Sequence, residues 1–123
     1  VNNKEFDIAI VGGGIVGLSS AYKLQLEFPE LKIVVLEKED ELASHQSGRN
    51  SGVIHSGLYY KPESFKARNC IDGRKQLLDF AIQNQIAHDI CGKIVLATNS
   101  FEASQLPTLQ KNGEKNGLKG IEI

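Results

Sequence analysis

The residue types and spacing best suited to chemistry lie near the start of the chain, in the turn Gly12-Gly13-Gly14-Ile15-Val16-Gly17. The turn fits G-x-G-x-x-G, and Glu37 follows 20 residues after Gly17. That combination is what a dinucleotide asks of a protein. Gly12 permits a tight strand-to-helix turn. Gly14 lacks the Cβ that would keep a pyrophosphate off the backbone, and Gly17 lets the helix pack close against the strand. The phosphates then meet free N–H groups and the positive end of a helix dipole. Glu37 is placed to accept hydrogen bonds from a ribose 2′-OH, and its charge repels a 2′-phosphate, which disfavours NADP. Glycine-rich hexamers also arise by chance, so the weight rests on context: an apolar run before, a helical pattern after, and the acid at the right distance.

A second concentration of polar groups runs from Ser44 to Gly57, where hydroxyl, amide and imidazole side chains are interleaved with Gly48, Gly52 and Gly57. It has no helical or strand periodicity apart from Val53-Ile54. Long loops in compact domains are usually either functional or disordered, and the interleaved glycines and apolar residues favour an ordered, functional one. The glycine turn does not choose between NAD and FAD, which present the same ADP half. An NAD dehydrogenase normally continues here into further βα units, whereas a long glycine-punctuated loop suits an extended flavin. FAD is therefore the cofactor expected.

The elements that must position these groups can be read from the flanking pattern. Asp7 to Val11 is a short apolar strand, Ile15 to Phe28 a helix stopped by Pro29, and Leu31 to Leu36 a β-branched strand with Glu37 at its carboxyl end. Together they make a right-handed βαβ unit with parallel strands. Pro62 and Glu63 are expected to open a second helix running to about Asn84, with Ala67, Cys70, Ile71, Arg74, Leu78, Ala81 and Ile82 along one side. Gly73 inside it suggests close approach of a neighbouring backbone. A third strand is expected over Lys93–Thr98, then a polar helix over Ser100–Asn116 around Leu106 and Leu109, interrupted by Pro107. Leu118 to Ile123 reads as the beginning of a further strand. The fold class is α/β, a Rossmann-like FAD-binding domain with a parallel sheet. A start at Val1 and an end within a strand suggest that residues 1–123 are its N-terminal part, with the rest of that domain and a substrate-capping domain absent.

The composition is that of an ordinary globular protein: 123 residues, 41% hydrophobic and 24% charged, with net charge −1. So balanced a charge gives no pull toward nucleic acid. No run of 18 apolar residues occurs, and Val1 to Phe6 is too short and polar for a signal peptide. The expected location is cytoplasmic, with peripheral contact at an inner membrane left open. Cys70 and Cys91 read as buried reduced thiols, and without C-x-x-C spacing they argue against a metal site. His88 reads as a surface residue, and Lys4-Glu5 and Lys38-Glu39-Asp40-Glu41 as solvated charge runs.

The segments Phe6-Asp7-Ile8 through Gly17-Leu18 and Val35-Leu36-Glu37-Lys38 resemble the opening of the D-amino-acid oxidase and glycerol-3-phosphate dehydrogenase superfamily of flavoproteins. His45-Gln46-Ser47-Gly48, Asn50 to Gly57, Tyr59-Tyr60-Lys61-Pro62 and Cys91-Gly92-Lys93 narrow the likeness to the L-2-hydroxyglutarate dehydrogenase or oxidase family. The resemblance spans essentially the whole chain. It implies non-covalent FAD, oxidation of the small-molecule 2-hydroxy acid L-2-hydroxyglutarate to 2-oxoglutarate, and an electron acceptor such as quinone or oxygen. The chain departs from the family pattern at Arg49, where histidine is usual; arginine can hold a diphosphate or a carboxylate but cannot act as a base. The candidate cofactor contacts are Gly12, Gly13, Gly14, Ile15, Val16, Gly17, Glu37, Lys38, Gln46, Ser47, Arg49, Asn50, Ser51, Gly52 and Val53. Hydroxy-acid oxidation needs a base for the hydroxyl proton while the C2 hydride goes to flavin N5, and imidazole titrates near neutrality. His55 is the catalytic candidate, against the plainer reading of a histidine that bonds backbone or the flavin edge. His45 is expected to pack near the diphosphate. Two other readings stay open: a flavoenzyme of the same superfamily acting on an amine, an amino acid or glycerol 3-phosphate, and a nucleotide-binding piece without turnover.

Overall fold

The computed structural model describes residues 5–123, so Lys4 and the segment before it lie outside the described residues. The chain divides into two compact units, one ending at Gly52 and the other spanning Val53–Ile123.

The first unit is the βαβ motif. Strand β1 (Ile8–Val11) pairs in parallel with β2 (Ile33–Leu36), in the register Ile8 with Ile33 through Val11 with Leu36. Between them runs helix α1 (Ile15–Glu27). Asp7 starts the ladder: its N–H donates to the Lys32 carbonyl at 2.9 Å, and its carboxylate accepts the Lys32 N–H at 2.8 Å. Pro29 ends the helix as expected. The Gln25 amide then ties the connection, donating to the carbonyls of Pro29 (3.0 Å) and Leu31 (3.3 Å). Gly17, Leu18, Ala21 and Leu24 make the half-buried side of α1, while Val11 at the sheet end is 86% exposed.

The second unit holds α2 (Phe65–Gln83) and α3 (Ser100–Lys115). Helix α2 begins later than Pro62-Glu63. Ser64 is the N-cap, its Oγ accepting the Ala67 N–H at 3.2 Å, and Glu63 sits before it at φ +65°. The expected inner side is largely correct: Ala67 and Ala81 are buried and Cys70, Arg74 and Leu78 half-buried, but Ile71 and Ile82 are exposed. Gly73 is exposed, and a Cβ there would meet nothing within 4 Å, so the expected close approach is absent. The helix ends in a Schellman turn: Ile86 N–H bonds to Ala81 O (2.8 Å) and Gln85 N–H to Ile82 O (3.2 Å), with Gln85 at φ +55°.

Three further expectations are corrected. Residues 93–98 form no strand, because among the described residues the sheet holds only β1 and β2 and no strand pairs with them; Ile94 and Leu96 are 84% and 80% exposed. Residues 118–123 form none either. Helix α3 passes through Pro107 without a break, since one missing N–H is tolerated in a helix held at both ends. At its start Asn99 Oδ1 accepts the Glu102 N–H (2.9 Å), and Glu102 returns by accepting from Thr98 N–H and Oγ1. The cysteines are both free, but Cys91 is exposed rather than buried, and Cys70 is half-buried.

Candidate functional site

The glycine turn lies where the spacing places it, between the end of β1 and the start of α1. Gly12 stands at φ +105°, a region costly for any side chain, and its N–H extends the ladder to Leu36 O at 2.7 Å. Gly17 packs its Cα against the carbonyl of Gly12, leaving no room for a Cβ. Gly13 is buried; a Cβ there would stand 2.6 Å from Leu42 Cδ2 and 3.0 Å from Glu37 Oε2.

Glu37 closes the turn from the end of β2. Its Oε2 accepts the Gly13 N–H at 2.6 Å, and its Oε1 accepts the N–H groups of Lys38 (2.8 Å) and Glu39 (3.1 Å). The Gly13 N–H is the main reason the Glu37 carboxyl is held below its ordinary value, with the Glu39 N–H next. Carboxylate oxygens offer about four acceptor sites, so capacity remains for ribose hydroxyls.

The loop after Glu37 folds back over the turn. Ala43 N–H donates to Gly13 O at 3.1 Å, and Ser47 Oγ accepts the Ile15 N–H at 2.9 Å. Helix α1 has no cap from Gly14 itself and no acid in its first turn, which leaves its positive end open to an anion. A Cβ on Gly14 would come within 3.2 Å of Ser47 Oγ, and one on Gly48 would collide with the Ala43 carbonyl. Successive turns continue through Gly48 N–H to His45 O and Arg49 N–H to Gln46 O. Asn50 Nδ2 then donates to Ser47 O at 2.8 Å, so the segment is an ordered loop, as expected. At its rim Glu39 pairs with His45 Nε2 (2.9 Å) and Lys38 Nζ (3.0 Å), and those two partners, Lys38 first, lower its carboxyl.

These pieces enclose an open cleft of about 390 Å³, within the ~300–1,000 Å³ range of small-molecule sites. Of the expected cofactor residues it brings together Gly12, Gly14, Glu37, Lys38, Gln46 and Ser47, with Gly13, Ile15, Val16 and Gly17 in the same turn and first helical turn. His45 also lines it. Ser44, the first residue of the polar loop, does so as well, and so does Ala43, which went unnoticed in the sequence because only its bond to Gly13 brings it there. Arg49, Asn50, Ser51 and Gly52 are exposed on the loop beyond the cleft. Val53 and His55 belong to the second unit and are exposed there. The His55 carbonyl accepts from Cys70 Sγ at 3.4 Å. His88 is exposed, with Nδ1 against Ile86 O. The cradle left by missing Cβ atoms, an anion-ready helix end and an acid beside them suit the ADP half of FAD.

Comparison with known proteins agrees with this geometry. The FAD dependent oxidoreductase family matches residues 7–123. The mitochondrial L-2-hydroxyglutarate dehydrogenases of Dictyostelium discoideum and Homo sapiens are each 50% identical over 122 residues, 99% of this chain and 27% and 26% of theirs. The L-2-hydroxyglutarate dehydrogenase of Indibacter alkaliphilus is 49% identical over 116 residues, 94% of this chain and 29% of its own. The chain thus spans between 26% and 29% of the length of these relatives. With its glycine turn, its acid at the end of β2 and a match over nearly its whole length, the chain belongs to the FAD dependent oxidoreductase family.

Proposed function

We propose that this chain forms the ADP-binding start of an enzyme that oxidises L-2-hydroxyglutarate to 2-oxoglutarate. The observation that carries the reading is the glycine turn at the head of α1 with Glu37 bonded to it from β2. The activity named for relatives at 50% identity supports the substrate.

FAD, when bound, supplies the two-electron acceptor for the C2 hydride. Gly12, Gly13 and Gly14 would let the pyrophosphate approach the backbone, the uncommitted amides of the first turn of α1 would donate to it with Ser47 beside them, and Glu37 would take the ribose. Lys38 and Gln46 flank it on the cleft wall. Arg49, Asn50, Ser51, Gly52 and Val53 are further candidate contacts for the cofactor. The His55 imidazole takes the proton of the substrate hydroxyl, so that loss of that proton and the C2 hydride leaves the 2-oxo acid. Residues 1–123 contribute the N-terminal part of the FAD-binding domain, and the remaining part and the cap are supplied by a longer chain. The electrons pass on to a quinone or to oxygen, and a peripheral position at an inner membrane suits the first. No helix among the described residues is long and apolar enough to cross a membrane.

The test is anaerobic reduction of the full-length FAD protein by L-2-hydroxyglutarate, followed by bleaching of the flavin absorbance, with 2-oxoglutarate measured as product. D-2-hydroxyglutarate, glycerol 3-phosphate and amino acids serve as comparisons. Bleaching by any of these in preference to L-2-hydroxyglutarate overturns the substrate assignment. Reoxidation by a soluble quinone and by oxygen, compared in the same cell, identifies the acceptor.

A further inference from the structure

The second unit contains a buried polar clamp on the segment that carries His55. Helix α3 ends in a Schellman turn: Leu118 N–H bonds to Gly113 O (3.0 Å), Gly117 N–H to Glu114 O (2.9 Å), and Gly117 stands at φ +82°. This ending turns the side chain of Asn116 inward, where it is 5% exposed. Both protons of its amide are used, one on Gly57 O and one on Tyr60 O, each at 2.9 Å. Gly57 to Tyr60 is itself a turn, closed by Tyr60 N–H on Gly57 O at 3.2 Å. An apolar contact acts beside the polar one. Leu58 Cδ1 and Ile121 Cδ1 pack over Gly113, where a Cβ would lie 2.7 and 2.6 Å from them and push them aside. On the other side, Cys70 Sγ donates to the His55 carbonyl from α2.

The His55 backbone is therefore fixed from two helices, within two residues of its Cα in each case. A buried amide that satisfies two carbonyls more than 50 residues away is costly to replace, since the Tyr60 carbonyl would lose this donor and keep its desolvation penalty, while Gly57 O would retain the Tyr60 N–H. We propose that Asn116 is a positioning residue for His55, so that the end of α3 governs how accurately the base is aimed. This rests on the reading of His55 as the base. The reaction needs that imbalance to be small: a misplacement of about 1 Å can cost on the order of 100-fold in rate.

The experiment uses the full-length FAD-saturated protein and compares Asn116→Ala, Asn116→Ser and His55→Gln with the parent. Asn116→Ser keeps one donor and preserves the fold if the alanine variant does not fold. The expected result is faster hydrogen exchange over residues 53–61, a kcat lowered by roughly 10- to 100-fold, a KM for L-2-hydroxyglutarate changed far less, and an intermediate kcat for Asn116→Ser. Unchanged exchange over 53–61, or faster exchange with kcat intact, overturns the positioning role. A His55→Gln protein with parental kcat overturns the base assignment instead, and so separates the two failures.

Discussion

At the scale of single residues Glu37 carries most, because it joins three backbone N–H groups from the ends of two strands. A glutamine there keeps the shape but loses the charge and one acceptor oxygen. Glu37→Gln is expected to weaken FAD binding by the full-length protein about tenfold, the worth of a charge-assisted hydrogen bond. An unchanged dissociation constant shows that Glu37 does not hold the ribose. The pH dependence has a definite sign. A carboxyl held below its ordinary 4.5 contributes stability that is complete above that value and is lost as pH falls through the lowered one. The gap in melting temperature between parent and Glu37→Gln should therefore narrow as the cofactor-free protein is taken from about pH 6 toward about pH 3. A gap that stays constant assigns the effect to shape rather than charge. Glu37 was legible from type and spacing, since the turn dictates where an acid is needed, whereas Ser47 was drawn from the likeness of His45-Gln46-Ser47-Gly48 to a known family. The Glu39–His45 pair and the Asn116 clamp were not, because each depends on a partner that only the folded backbone selects.

At the scale of elements, one position in α2 and one just past its end are suboptimal in different ways. Gly73 is a mid-helix glycine facing open space, so Gly73→Ala should raise stability by up to about 1 kcal/mol, read from thermal unfolding. A loss of stability would reveal a neighbour at Gly73 in the longer protein. Gln85 occupies the left-handed position of a Schellman turn, and Gln85→Gly should stabilise the helix end by roughly 0.5–1 kcal/mol. No gain would show that Gln85 makes compensating contacts. The βαβ unit was legible almost to the residue because glycine, proline and β-branched residues punctuate it. The segment 93–98 reads as a strand by the same rules, yet strand propensity is realised only beside a partner, and its Ile94 and Leu96 stay exposed. Pro107 shows the converse: a strong local breaker overruled by the Asn99 N-cap, with Glu102 bonded back to Thr98, and a Schellman turn at Gly117.

At the scale of the molecule, the described residues bury little apolar surface. Ala67 and Ala81 are the buried apolar side chains, while Val11, Val16, Ile94, Leu96 and Phe101 are at least 74% exposed. Residues 1–123 expressed alone should therefore unfold with an enthalpy well below the usual ~0.7 kcal/mol per residue near 60 °C, measurable by calorimetry. The same piece should hold FAD weakly. Contacts at the helix end and turn are worth roughly 0.3–2 kcal/mol each, and ordering a long cofactor costs several. Sub-micromolar binding by titration calorimetry, or 2-oxoglutarate formation, would mean that these residues form a more complete site.

The bonds from Glu37 to Gly13, Ser47 to Ile15 and Ala43 to Gly13 tie the strand end, the turn and the following loop to one another. The consequence is kinetic. A receptor whose walls are already braced against each other has little left to rearrange when its ligand arrives. Capture should then follow a single exponential with an observed rate linear in FAD concentration, and cutting the Ser47 brace should introduce a plateau, as a slow step of loop closure comes to limit entry.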